Sequence, residues 1–207
     1  MVEAHEIAER IHEHHGEHAH ARAERDGFRR FTGIYVGVVA MLLAIASLGN
    51  GSATKEMLSA NIHASDTYSF YQAKYSRQIS YQIAAEQLEL TAAAAPGLNP
   101  DQANRVAALT KRYRDTATRY ESEPEKGDGK KELLAKADEW ERMRDHAAAQ
   151  TPNFELAEAF FQIAIVLGSV AIVAASPWII TVSAVLAGLD TLLTVNGFFL
   201  IAPLPIG

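Results

Sequence analysis

AFFQIAIVLGSVAIVAASPWIITVSAVLAGLDTLLTVNGFFLIAPLPIG, residues 159–207, holds a single charged side chain, Asp190. A bilayer core about 30 Å thick takes about 20 helical residues to cross once. The run is therefore long enough for two passes, and Ser176-Pro177-Trp178 supplies the break between them. The predicted passes cover residues 154–175 and 178–202, with Asp190 near the midpoint of the second. A carboxyl there costs at least about 2.5–3.5 kcal/mol on insertion scales and marks a functional site by default.

Working outward, a third charge-poor stretch covers residues 31–49. Charge is crowded into residues 1–30 and 50–158. Five basic and seven acidic residues precede Phe31, fourteen and seventeen fall in residues 50–158, and Asp190 alone follows. This predicts an all-α membrane protein with three transmembrane helices and an extramembrane helical domain between the first and second. No basic stripe suited to nucleic acid is present. With no cysteine in the chain, disulfides, thiolate metal sites and thiol redox chemistry are excluded. Ala44-Ile45-Ala46 has the form of a signal-peptidase site, but the Glu-rich region of thirty residues before Phe31 argues for a retained span.

Residues 1–30 read as a His/Glu-rich helical tail ending in Arg22, Arg25, Arg29 and Arg30, whereas Lys55 stands alone beyond the span. The excess of arginine places the N-terminus in the cytoplasm, and the middle region and C-terminus outside. Within residues 50–153, helix resumes near Thr54 after Gly49-Asn50-Gly51 and runs to about Ala95. Asn99-Pro100-Asp101 opens a second helix with an N-cap, a first-position proline and an acid. Glu121–Gly129 reads as a turn, and a helix from Lys130 to about Ala149 completes an antiparallel hairpin. Thr151-Pro152-Asn153 is expected to cap the second span as a new helix.

Each span carries small residues on one helical face: Gly33, Gly37, Ala40, Ala44, Ser47 and Gly51; Ala164, Gly168, Ala171 and Ala175; and Ser183, Ala187, Asp190, Thr194 and Gly197. Small residues let helix backbones approach closely where lipid supplies no hydrophobic drive. Packing within one subunit and packing between subunits both account for them. The first stripe continues in a seven-residue rhythm through Leu58, Asn61, Ser65, Tyr68, Gln72, Tyr75, Ile79 and Gln82, as a supercoiled seam would.

Two groups suggest chemistry. On a helical tail His14, His15 and His18 converge at i,i+3 and i,i+4 spacing, which suits one divalent transition metal. No other cofactor is implied. Asp190 is expected either as a structural carboxyl hydrogen-bonded to Thr194, Asn196 or Ser183, or as an ion- or proton-handling group. No nucleophile–base constellation or phosphate-cradling loop is present, so no enzymatic activity is expected.

The segment Asp66-Thr67-Tyr68-Ser69-Phe70-Tyr71-Gln72-Ala73-Lys74 is dense in aromatics. Together with the His/Glu tail, the lone first span, the charged hairpin and the closing pair of spans, it resembles the bacterial inner-membrane family called domain of unknown function 4337. Asp66, Tyr68, Phe70, Tyr71, Gln72 and Lys74 carry the motif. The resemblance implies a membrane location and brings no catalytic residues. The expected function is a non-enzymatic, self-associating membrane protein, a scaffold or an accessory component of a larger complex. The alternatives are an ion- or proton-conducting homo-oligomer using Asp190, and metal binding or sensing through the histidine tail. The expected partners are the lipid bilayer and further copies of the chain, and no nucleic acid.

Overall fold

Helix is the only regular structure among the described residues, as three uncharged segments and helix-forming connections between them require. The computed structural model describes residues 2–95 and 97–203, with side chains from Arg25 onward. The helices are α1 (Val2–Ala94), α2 (Pro100–Glu121), α3 (Lys130–Ala174) and α4 (Pro177–Phe199). Parts of α1, α3 and α4 are long and apolar enough to cross a membrane. The metal expected at His14, His15 and His18 falls outside the described side chains.

Two expected breaks are absent. Gly49-Asn50-Gly51 lies inside α1, which continues through it without interruption. Gly49 serves close approach instead: a Cβ there would sit 2.6 Å from the Phe154 ring. Likewise Pro152 lies inside α3 rather than at the start of a new helix. A helical proline lacks the N–H that would bond four residues back. The carbonyl left without that donor is Ala148's; beside it Asn153 Nδ2 adds a second hydrogen bond to the Ala149 carbonyl, 3.1 Å away. The break at Ser176-Pro177 is present. Ala175 takes a left-handed φ of 47° after the end of α3, and α4 begins two residues later with proline in its first turn.

The chain divides into two compact units, Met1–Thr54 with Ala148–Gly207, and Lys55–Ala147. In the first, α1, α3 and α4 pack around one narrow seam. Its buried residues include Val39, Ala46 and Gly49 of α1, Phe154, Ala157, Phe161, Ala164 and Ala171 of α3, and Ser183, Ala187, Asp190 and Thr194 of α4. Almost all are small, so the backbones approach closely around two phenylalanine rings. Phe154 fills the space that side chains at Gly49 and Gly197 would otherwise occupy.

The α3 and α4 stripes thus pack inside the unit, including Ala164, Gly168 and Ala171. The α1 stripe does not. Gly33, Gly37, Ala40 and Ala44 are exposed, because α1 turns toward α3 and α4 the heptad Thr32, Val39, Ala46 and Ala53, offset by one residue. Nothing lies within 4 Å of where side chains at Gly33, Gly37 or Gly51 would begin.

In the second unit the buried heptad of α1 runs on through Ala60 and Thr67, with Ala64, Gln78 and Ala85 beside it. α2 starts from a capping box, in which Asn99 and Gln102 exchange side-chain and backbone hydrogen bonds. It runs antiparallel to the end of α1, with Tyr113 and Tyr120 against Tyr81 and Arg114 paired to Glu89. α3 continues in the same direction farther back along α1, with Lys130 at Gln78 and Trp140 stacked on His63. The expected antiparallel hairpin is therefore absent: both helices lay their contacts on α1 in the same direction, and the hydrogen bonds between them cluster at the turn, where Ser122, Glu123 and Glu132 meet.

Candidate functional site

The seam of the first unit carries polar groups at three levels. At one level Ser183 Oγ donates to the Ala164 carbonyl at 2.6 Å. With its own proton committed there, Ser183 accepts from the Tyr35 hydroxyl at 2.8 Å, and one serine thereby ties α1, α3 and α4 together. At the opposite level Asn196 Nδ2 donates to Asn153 Oδ1 at 2.6 Å, and the Asn196 side chain also brackets the backbone of Ala202 through both its N–H and its C=O. This clamp holds the left-handed exit of α4 at Leu200.

Between these levels lies Asp190, fully buried, its two carboxyl oxygens without a hydrogen-bond partner among the described residues. The expected partners are all engaged elsewhere. Thr194 donates to the Asp190 backbone carbonyl rather than to the side chain. Ser183 and Asn196 serve the networks just described. The reason is register: Ser183 and Thr194 lie seven residues before and four after Asp190, so each shares its helical face while meeting a different turn of the neighbouring helices.

Sequence reading did not single out Tyr35, Asn153 or Glu158 as site residues. Glu158 closes the charged middle region one residue before the uncharged run, and its Oε1 is buried without a partner. A carboxylate one turn inside a predicted span is the signal that would have found it.

The aromatic motif lies in the second unit and divides by face. Tyr71 and Lys74 turn inward to the α2–α3 connection, whereas Asp66, Phe70 and Gln72 are exposed. Lys74 Nζ pairs with Asp128 at 3.0 Å and lies 5.2 Å from the Tyr120 ring. Lys130 Nζ reaches Gln78 Oε1 at 2.7 Å and Glu121 Oε2 at 2.9 Å, and lies 4.8 Å from the Tyr75 ring and 5.8 Å from that of Tyr71. Gln78 in turn donates to Glu121 and to the Ala117 carbonyl. Hydrogen bonding from Gln78 first, and from Lys130, holds the Glu121 carboxyl below its ordinary value. The Lys74 hydrogen bond does the same for Asp128, and the Ser122 hydroxyl for Glu132. Tyr68 faces α3, and its phenol is raised by desolvation first and then by the Glu141 and Asp138 carboxylates. With its cations satisfied in this way, the cluster is a lock on the turn.

Among the described residues no group of three or more His, Asp or Glu side chains is placed to hold a metal. Fold and site together define an all-helical protein with three helices long and apolar enough to cross a membrane. Residues 28–200 match the family model described as Domain of unknown function (DUF4337), and the chain belongs to that family. No curated protein and no solved structure matches the chain.

Proposed function

We propose that this chain is a three-span, non-enzymatic protein of the bacterial inner membrane that self-associates along the outer face of α1, as a scaffold or accessory component of a larger membrane complex. The N-terminus lies in the cytoplasm, and residues 55–147 form a helical domain on the other side. The observation that carries this reading is the unoccupied small-residue face of Gly33, Gly37, Ala40 and Ala44. Glycine offers lipid nothing that leucine would not, whereas it lets a second helix approach closely. The face continues in the same seven-residue rhythm through exposed Leu58, Asn61, Ser65, Gln72 and Ile79, whereas Tyr68 of that rhythm faces α3 and Tyr75 meets Lys130. A second copy of α1 presents the same repeat and is the occupant that matches its small-residue stretch.

The absence of cysteine makes the test direct. Single cysteines at Gly37, Ala44 and Leu58 should form disulfide-linked dimers in native membranes, while cysteines on the inner face at Val39 and Ala46 should not. A chain that stays monomeric in mild detergent and gives no periodic cross-linking would remove the reading. A pore ring of Asp190 side chains is less well supported, since Asp190 is buried within a single subunit and does not line the exposed α1 face.

A further inference from the structure

The helices of the second unit differ in how their outer surfaces are made. α2 carries eight Asp, Glu, Lys and Arg side chains among its 22 residues, and residues 130–145 of α3 carry ten, as solvated faces do. Residues 57–85 of α1 carry three, and one of them, Lys74, turns inward to Asp128. That leaves Asp66 and Arg77 for about eight turns of helix. Such a face suits a neighbour better than water.

What the face presents instead is a seam. Leu58, Ser65, Gln72 and Ile79 recur every seven residues, and in this unit they alternate not with Tyr68 and Tyr75 but with Ile62, Ser69, Ser76 and Ile83. All of the seam is exposed, Ile62 by 59% and Ile83 by 48%. The buried positions Ala60, Ala64, Thr67, Gln78 and Ala85 follow the same three- and four-residue spacing on the opposite side of the helix. Two seams therefore run back to back along α1, one filled by α2 and α3 and the other open. From end to end the open seam is apolar at Leu58 and Ile62, polar from Ser65 to Ser76, and apolar again at Ile79 and Ile83. An occupant has to match that order level by level. A second α1, parallel and unshifted, does so at every level, whereas sliding it by seven residues sets Leu58 against Ser65 and Gln72 against Ile79. The order also matches itself in reverse. Two chains held in one membrane, as proposed above, send α1 out in the same direction, which excludes the reversed match.

We infer that residues 58–83 of α1 pair with the same residues of a second copy as a parallel, unshifted two-stranded seam, with Gln72 facing Gln72 of the partner subunit. Gln72 is exposed and makes no hydrogen bond among the described residues. Its amide both donates and accepts, so two of them face to face satisfy each other. Polar groups inside such a seam give up some stability and favour one alignment. This rests on the self-association proposed above, and it adds the direction, the register and a role for a residue of the Asp66–Lys74 motif.

Single cysteines in the full chain, oxidised in native membranes, test the alignment. Ser65→Cys and Ile79→Cys should each link to its own copy at twice the chain's mass, and Phe70→Cys, off the seam, should link severalfold less. A charge swap tests Gln72. Adding Gln72→Glu or Gln72→Lys to the Ile79→Cys chain should cut its linking severalfold, because like charges then face each other. Co-expressing the two should restore it. Gln72 is exposed in the single chain, so these changes leave its fold intact. Cross-links at Gly37 and Ala44 without those at Ser65 and Ile79 would overturn this inference while the self-association reading stands. Links between Ile62→Cys and Ile79→Cys chains would overturn the direction, and a product of any mass other than two chains would give the face to a different protein. No recovery on co-expression would overturn the pairing of Gln72. Absence of links at every position would remove both readings.

Discussion

At the residue scale, the fate of Asp190 is set by which turn of the neighbouring helices each polar side chain meets. Ser183, Asp190, Thr194 and Gly197 share the buried face of α4, yet Ser183 finds a carbonyl and a phenol whereas Asp190 finds neither donor nor acceptor. An unsatisfied buried polar group costs about 1–3 kcal/mol, and an apolar side chain of similar size does not incur that cost. Asp190→Leu should therefore raise resistance to unfolding in detergent by about that amount, measured as a shift in thermal or denaturant midpoint. A lower midpoint would mean that the carboxyl has a partner. Ser183→Ala should act in the opposite direction by about 1–3 kcal/mol, since it leaves the Tyr35 hydroxyl without its partner and removes the second bond to the Ala164 carbonyl.

At the element scale, glycine has two different uses. Gly197 faces the Phe154 ring so closely that an added Cβ would lie 2.7 Å from it. Gly197→Ala should lower stability by about 1–3 kcal/mol through overpacking. Gly37→Ala meets open space and should leave subunit stability nearly unchanged, and a thermal melt of the two variants side by side checks the contrast. The α2–α3 turn brings a pH dependence. The Glu121, Asp128 and Glu132 carboxyls sit below their ordinary values in the folded chain. They contribute stability that is fully present above the ordinary carboxylate range of about 4 and is lost as pH falls through their lowered folded values. Hydrogen exchange across residues 121–132 should quicken below that pH. Lys74→Met should remove the Asp128 share of the change while leaving that of Glu121, which Gln78 and Lys130 supply.

At the scale of the whole molecule, the units rest on the seam of α1, α3 and α4 and on the contacts of α2 and α3 with α1, all of which involve residues after Arg25. Deleting residues 1–21 should therefore leave assembly intact while abolishing binding of Zn²⁺, Ni²⁺ or Cu²⁺ by the histidine tail. Calorimetric titration of the full and shortened chains reads both outcomes, and the affinity of the full chain should fall below about pH 6 as imidazoles protonate. A shortened chain that fails to assemble would show the tail to be structural.

Amino-acid order by itself determined the all-helical class, the three apolar segments, the turn at Glu121–Gly129 and the reversal at Ser176-Pro177. Each follows from charge, helix period or proline chemistry acting over a few neighbouring residues. The Asp66–Lys74 motif also made the family legible before any coordinates. Only the tertiary structure decided whether Gly49-Asn50-Gly51 and Pro152 would interrupt their helices; the ring of Phe154 packed on Gly49 is what the first of these meets. The same holds for the face of α1. Two heptad seams run along it one residue apart, and a rotation of one position exchanges them. Spacing alone does not choose between them; the bulk of Phe154 against Gly49 and the Tyr35–Ser183 bond do. They turn Val39 and Ala46 inward and leave Gly33, Gly37, Ala40 and Ala44 on the outside.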